Sequence, residues 1–143
     1  MRFPLPGPNL RLMPAALISL WLATPAPGAT PEPLSAAEFE AYVSGKTLTY
    51  NQYGQGFGIE EYLPGRKVRW MTSPGECQYG SWFQKGALIC FVYEYNPEEH
   101  CWSFWREGDV LKALAEGAAP ETALTEVDQS PRGLDCPAPD VGV

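Results

Sequence analysis

From residue 46 to residue 115 the chain is a series of short runs rich in aromatic and β-branched residues. Glycine or proline turn signals interrupt these runs at roughly 8–12-residue spacing. That spacing leaves no room for long helices between strands, so a parallel sheet with crossover helices is excluded. It predicts a mainly β fold: an antiparallel meander, small barrel or sandwich of about seven strands, preceded by one short helix.

The runs can be read in order. Lys46–Tyr50 alternates as a strand does, and the glycine-rich segment Asn51–Gly58 reads as a turn or mobile loop. Phe57–Leu63 is the second strand, followed by a tight turn at Pro64-Gly65. Arg66–Thr72 is the third, with Val68 and Trp70 on one face and Lys67, Arg69 and Met71 on the other. Cys77–Gln84 is the fourth, with Gly80 read as a bulge, and Ala87–Tyr95 is the strongest strand signal in the chain. Asn96–His100 reads as a turn and Cys101–Arg106 as the sixth strand. Val110–Ala115 has helix-forming composition but follows a hairpin-like turn, which favours a seventh strand.

Ahead of these runs, Ser35 and Glu38 form the S-x-x-E capping box that starts a helix over 36–43. Leu34 and Phe39 suit a hydrophobic staple, and Gly45 suits the position just past the helix end.

Residues 1–28 read as a secretory signal: Arg2 and Arg11 without an acid, an apolar run Leu12–Ala23, then small residues and prolines. The run is too short to span a bilayer and contains Pro14. Cleavage after Gly28 puts Ala26 at the −3 position. Residues 29–34 then read as a disordered entry, 35–115 as the β-rich domain, and 116–143 as an acidic, Pro/Ala-rich tail tied back by Cys136. The mature chain has eight basic residues against seventeen acids, a formal charge of −9. Such a surface repels phosphate backbones and anionic lipid, so neither nucleic acid nor stable membrane insertion is expected.

All four cysteines follow the leader, which predicts disulfides in a periplasmic or secreted protein. Four cysteines allow three pairings. Cys90 and Cys101 flank one hairpin and would lie opposite each other, leaving Cys77 for Cys136 by elimination. A metal site is the weaker reading, since no C-x-x-C occurs and His100 is the sole histidine. No cofactor is implied.

Aromatic residues are dense between 50 and 105, and such side chains either fill a small β core or line a site for sugars, lipids or peptides. Tyr50, Tyr53, Trp70, Trp82 and Trp105 are the candidate ligand-contacting residues. The case for catalysis is poor. His100 sits beside Glu98 and Glu99 and reads as a surface histidine; Ser81 and Ser103 lack a nucleophile-elbow context. Glu60 and Glu61 are adjacent, so on a strand they point to opposite faces and cannot form an acid/base dyad. Arg66, Lys67 and Arg69 read as a solvated hairpin edge.

Gly65 to Trp70, Gly75-Glu-Cys77, Gly80-Ser-Trp82, Ile89 to Tyr93 and Cys101-Trp102 follow one another in an order that resembles a family of small exported bacterial proteins, domain of unknown function 995. The resemblance covers residues 36–115 and implies export and a β-rich fold, without a catalytic residue, cofactor or substrate. The sequence therefore points to a non-enzymatic binding module for a small apolar or sugar-like ligand or an envelope protein. The alternative is a structural or inhibitory protein-interaction module, and an uncharacterised hydrolase is the least supported reading.

Overall fold

In the computed structural model, which describes residues 31–74 and 76–137, the capping box closes as expected. The Ser35 N–H donates to Glu38 Oε2 at 2.9 Å, and the Glu38 N–H donates to Ser35 Oγ at 3.3 Å. Helix α1 (Ala36–Val43) ends at the Ser44 cap, with Gly45 directly after it. Its buried side chains, Ala36, Phe39 and Val43, recur at helical spacing and face the sheet. The leader, residues 1–28, lies outside the described residues.

Eight strands follow: β1 (Thr47–Gln52), β2 (Gln55–Leu63), β3 (Lys67–Ser73), β4 (Glu76–Lys85), β5 (Leu88–Tyr93), β6 (Asn96–Glu107), β7 (Val110–Ala115) and β8 (Leu124–Ser130). Each pairs antiparallel with the next, and β8 pairs with β1, so the sheet closes into an up-and-down barrel. Closure gives every strand a partner on both sides. The sequence expectation of about seven strands is one short. The missing strand is β8, from the segment read as a tail. Its pattern hides it: Val127 is 52% exposed, while Glu126 is 3% exposed and points inward.

Three other local readings are corrected by the pairing. Asn51–Gly58 is not a loop; β1 and β2 run through it and turn at Tyr53-Gly54, both with positive φ as a two-residue hairpin requires. Asn96–His100 is not a turn but the start of β6, and the turn lies at Glu94-Tyr95. The β5–β6 register shifts between Phe91↔His100 and Tyr93↔Asn96, and this irregularity accommodates Pro97 in the strand. Gly80 stays in register with Val68 and Tyr93, so it is not a bulge.

The strand directions give the barrel two unlike ends. α1 and the turns after β2, β4 and β6 lie at one end, which is closed. Phe39 is fully buried there, with its ring centroid 4.5 Å from Phe104 and 5.1 Å from Trp82. Burial of a side chain of this kind stabilises the fold by ~1.5–3 kcal/mol. Leu34, read as part of a disordered entry, instead donates its N–H to the Phe104 carbonyl at 2.7 Å and packs on the core. Arg66 pairs with Glu40 at 3.0 Å and stacks on Trp82, so it fastens the helix to the barrel and is not a free hairpin charge.

The seam between β7 and β8 is short, with only Lys112↔Thr125 and Ala113↔Leu124 in register. Below it, Glu126 takes the place of the missing ladder acceptors. Its carboxylate accepts from the Leu111 N–H at 2.8 Å, the Tyr42 hydroxyl at 2.6 Å and Gln129 Nε2 at 2.9 Å. Partial burial, then the bond to Glu126, pushes the Tyr42 phenol up to about 12.

Both expected disulfides are present. Cys90 and Cys101 are direct cross-strand partners on β5 and β6, with Cα atoms 4.0 Å apart. Cys77 on β4 joins Cys136 and holds the C-terminal segment against the outside of β2–β4. There Leu134 N–H donates to Glu61 at 2.8 Å and Tyr79 Oη to the Pro137 carbonyl at 2.7 Å. No helix among the described residues is long and apolar enough to cross a membrane.

Candidate functional site

At the open end the interior is not filled. An eight-stranded barrel is just wide enough either to be packed by its own side chains or to hold one small molecule. Here the half beneath α1 is packed, and above it lies a cavity of about 240 Å³. A cavity of about 150 Å³ accommodates benzene, so this one has room for a single ring with a short substituent.

The wall follows from strand alternation. Tyr50, Glu60, Tyr62, Trp70, Gln78, Phe91 and Tyr93 are inward positions of β1 to β5, and Asn96, His100, Trp102 and Phe104 are inward positions of β6. Two glycines make space for the rings. A Cβ on Gly58 would overlap the Trp70 indole, and one on Gly80 would lie 2.7 Å from the Tyr93 ring. Phe57 packs beside them, 5.8 Å from Trp70 and 6.2 Å from Trp102 between ring centroids.

Among the described residues of this aromatic wall stands one carboxyl. Glu60 is 2% exposed, and the Tyr93 hydroxyl donates to it at 2.9 Å, with the second oxygen at 3.2 Å. One hydroxyl proton thus serves two carboxyl oxygens that together offer about four lone-pair sites. The salt bridges among the described residues are Arg66–Glu40, Arg69–Glu61 and Lys85–Glu99, and none reaches Glu60. Burial lifts the Glu60 carboxyl well above the usual carboxylate range, and the Tyr93 hydroxyl only partly opposes this. Tyr50 and Tyr62 share a hydroxyl–hydroxyl bond of 3.0 Å nearby. Burial raises both phenols, and burial followed by the Glu60 charge raises Tyr93, so all three remain neutral.

The adjacent acid points the other way. Glu61 faces outward, where Arg69 Nη2 meets it at 2.7 Å and the C-terminal segment covers it. The expectation that the two acids part to opposite faces therefore holds. Arg69, read as a solvated edge charge, is instead paired and half-buried.

The five candidate ligand residues divide. Tyr50 and Trp70 line the cavity. Trp82 is inside the barrel but below the cavity, against Phe39. Tyr53 is 67% exposed at the β1–β2 turn on the open rim. Trp105 takes the outward alternation between Phe104 and Arg106 on β6. Sequence reasoning missed Glu60, Tyr93, His100 and Trp102 as site residues. Only the alternation of β2 and β5 marked the first two. His100 was read as a surface residue, because the β6 start looks like a turn. It lines the cavity and bonds Asn96 at 3.1 Å. Ser81 and Ser103 occupy outward positions of β4 and β6, on the other side of the sheet from His100.

Cys90, Glu99 and Cys101 cluster on the outside, but both sulfurs are committed to the disulfide and leave no thiolate for a metal. No protein-family model, curated protein or solved structure matches the chain.

Proposed function

We propose that this protein is a non-enzymatic carrier or sensor that takes one small, mainly apolar molecule into the open end of its barrel. The observation that carries the reading is the 240 Å³ aromatic cavity with a single deeply placed carboxyl, Glu60. A site of this kind, apolar walls with few polar groups fixing orientation, is the usual form of a small-ligand pocket. A filled core would have served stability better, since each unfilled methyl-sized space costs ~1 kcal/mol. The leader-like N-terminus and the two disulfides support action in the periplasm or outside the cell, within the kind of exported family the sequence resembles.

The test is thermal unfolding of the oxidised protein against single-ring amines, alcohols and carboxylates, monosaccharides and short-chain lipids. A ligand at about one hundred times its Kd adds ~2.7 kcal/mol, which moves Tm by several degrees in a domain this size. Ala113 lines the cavity and is fully buried, so Ala113→Leu fills the space and should abolish that shift. A flat response across the panel, or a shift retained in Ala113→Leu, refutes the reading.

The second reading is a protein-interaction module. Tyr53 and Tyr95, 67% and 68% exposed, sit on turns at the open rim, where a partner would meet them. Retention of one specific envelope protein, lost in a Tyr53→Ser, Tyr95→Ser double variant, would favour it over the ligand reading.

A further inference from the structure

We infer that the cavity ligand is an organic monocation, a single-ring amine whose ammonium group lies against Glu60 within the aromatic wall. This rests on the small-ligand reading and narrows it to one charge class.

Three observations converge. The first is the unmet valence of Glu60, which lines the cavity, is almost wholly buried and has, among the described residues, only the Tyr93 hydroxyl as donor. A buried carboxyl with a single shared donor is costly when ionised, because most of its lone pairs then lack donors; protonated, it has only the Tyr93 hydroxyl oxygen to donate to. An ammonium entering the cavity brings three donors and the opposite charge. The second is the wall itself. Tyr50, Trp70, Phe91, Tyr93 and Trp102 line the same space, and aromatic rings attract a desolvated cation placed over their faces. The third is the charge of the lining: no Lys or Arg is among the described residues that line the cavity, so a carboxylate or phosphate ligand would enter against Glu60 with neither side chain to receive it. The surplus of acids over bases in the whole chain, −7 formally, draws cations toward the protein and repels anions.

The groups that face Glu60 do not compete for this role. Tyr50, Tyr62 and Tyr93 stay neutral because burial raises their phenols. Glu126, whose charge is felt by Tyr50, is already satisfied by Tyr42, Leu111 and Gln129. A cation placed beside Glu60 would lower its raised pKa and restore the carboxylate, with the displaced proton released to solvent.

The experiment is calorimetric titration of the oxidised full chain with three probes matched in shape: 2-phenylethylammonium, 2-phenylethanol and phenylacetate. It is done at about pH 8, where the amine is charged. The inference expects the ammonium to bind at least about tenfold tighter than the alcohol, and phenylacetate to bind more weakly than either. Glu60→Gln should erase the preference while leaving the alcohol within about threefold, which also shows that the variant is folded. A smaller preference in the unmodified protein, or a preference that survives Glu60→Gln, overturns the inference. If Glu60→Gln does not fold, the comparison of the three probes on the unmodified protein decides alone. Alcohol binding without ammonium preference sinks the cation and leaves the small-ligand reading standing. If no probe binds, the inference falls; the broader ligand panel then decides whether the small-ligand reading falls with it.

Discussion

Replacing Glu60 by Gln should make the protein more stable at neutral pH than the protein it came from, by an amount that depends on pH. Glu60 has an ordinary carboxyl pKa near 4.5 when the chain is unfolded and a much higher one when burial strips it of water. The folded state therefore holds the proton more tightly than the unfolded state does. Between the two pKa values the unfolded chain carries fewer protons, so raising pH favours unfolding. The slope is ~1.4 kcal/mol per pH unit while the folded state remains protonated. Each pH unit between the two pKa values takes that amount from a total that is ~5–15 kcal/mol for a domain of this kind. The isosteric amide does not titrate and escapes the loss. Urea unfolding of both proteins from about pH 4 to about pH 7, followed by tryptophan fluorescence, gives the difference directly. Other groups cancel in the comparison, since both proteins share them. The expected result is a Glu60→Gln advantage that grows steadily with pH above about 4.5. A difference that stays constant, or shrinks, as pH rises would mean that Glu60 is solvated or paired in solution, and the cavity as described would be wrong.

Glu126→Ala should cost ~1–3 kcal/mol in denaturant unfolding, because the buried Leu111 N–H loses its acceptor while the Tyr42 hydroxyl keeps the Asp109 carbonyl at 3.2 Å; hydrogen exchange should speed up at Leu111 first, and unchanged protection there would contradict the seam role. Removing the Cys90–Cys101 bridge by paired Ser substitutions should lower stability by ~3 kcal/mol, whereas removing Cys77–Cys136 should cost less than the ~4 kcal/mol its longer loop implies. Without the second bridge, the segment around Leu134 is held by few bonds and gains freedom in the folded state as well. Limited proteolysis should then cut near Arg132 in that variant alone, and equal resistance of both variants would refute the argument.

The local chemistry of single segments was legible without coordinates. Ser35 and Glu38 name the helix start because a cap is satisfied within three residues. Turn residues mark the hairpins, and hairpin adjacency places Cys90 opposite Cys101. Adjacency in a strand likewise sends Glu60 and Glu61 to opposite faces, whatever the sheet they belong to. What those faces meet is a long-range matter. Glu60 acquires its donor from Tyr93, three strands away around the barrel, and Glu61 acquires Arg69 and a covering segment held by Cys136. β8 escaped sequence reading because its inward position is a glutamate and its outward one a valine; only pairing with β1 and the bonds to Glu126 make that pattern a strand. Barrel closure, in turn, decided that Trp70 and His100 border an empty space while Trp82 is packed beneath it. Alternation along a strand is a local property fixed by backbone geometry, but the difference between a filled interior and a cavity depends on how eight inward rows meet across the barrel axis.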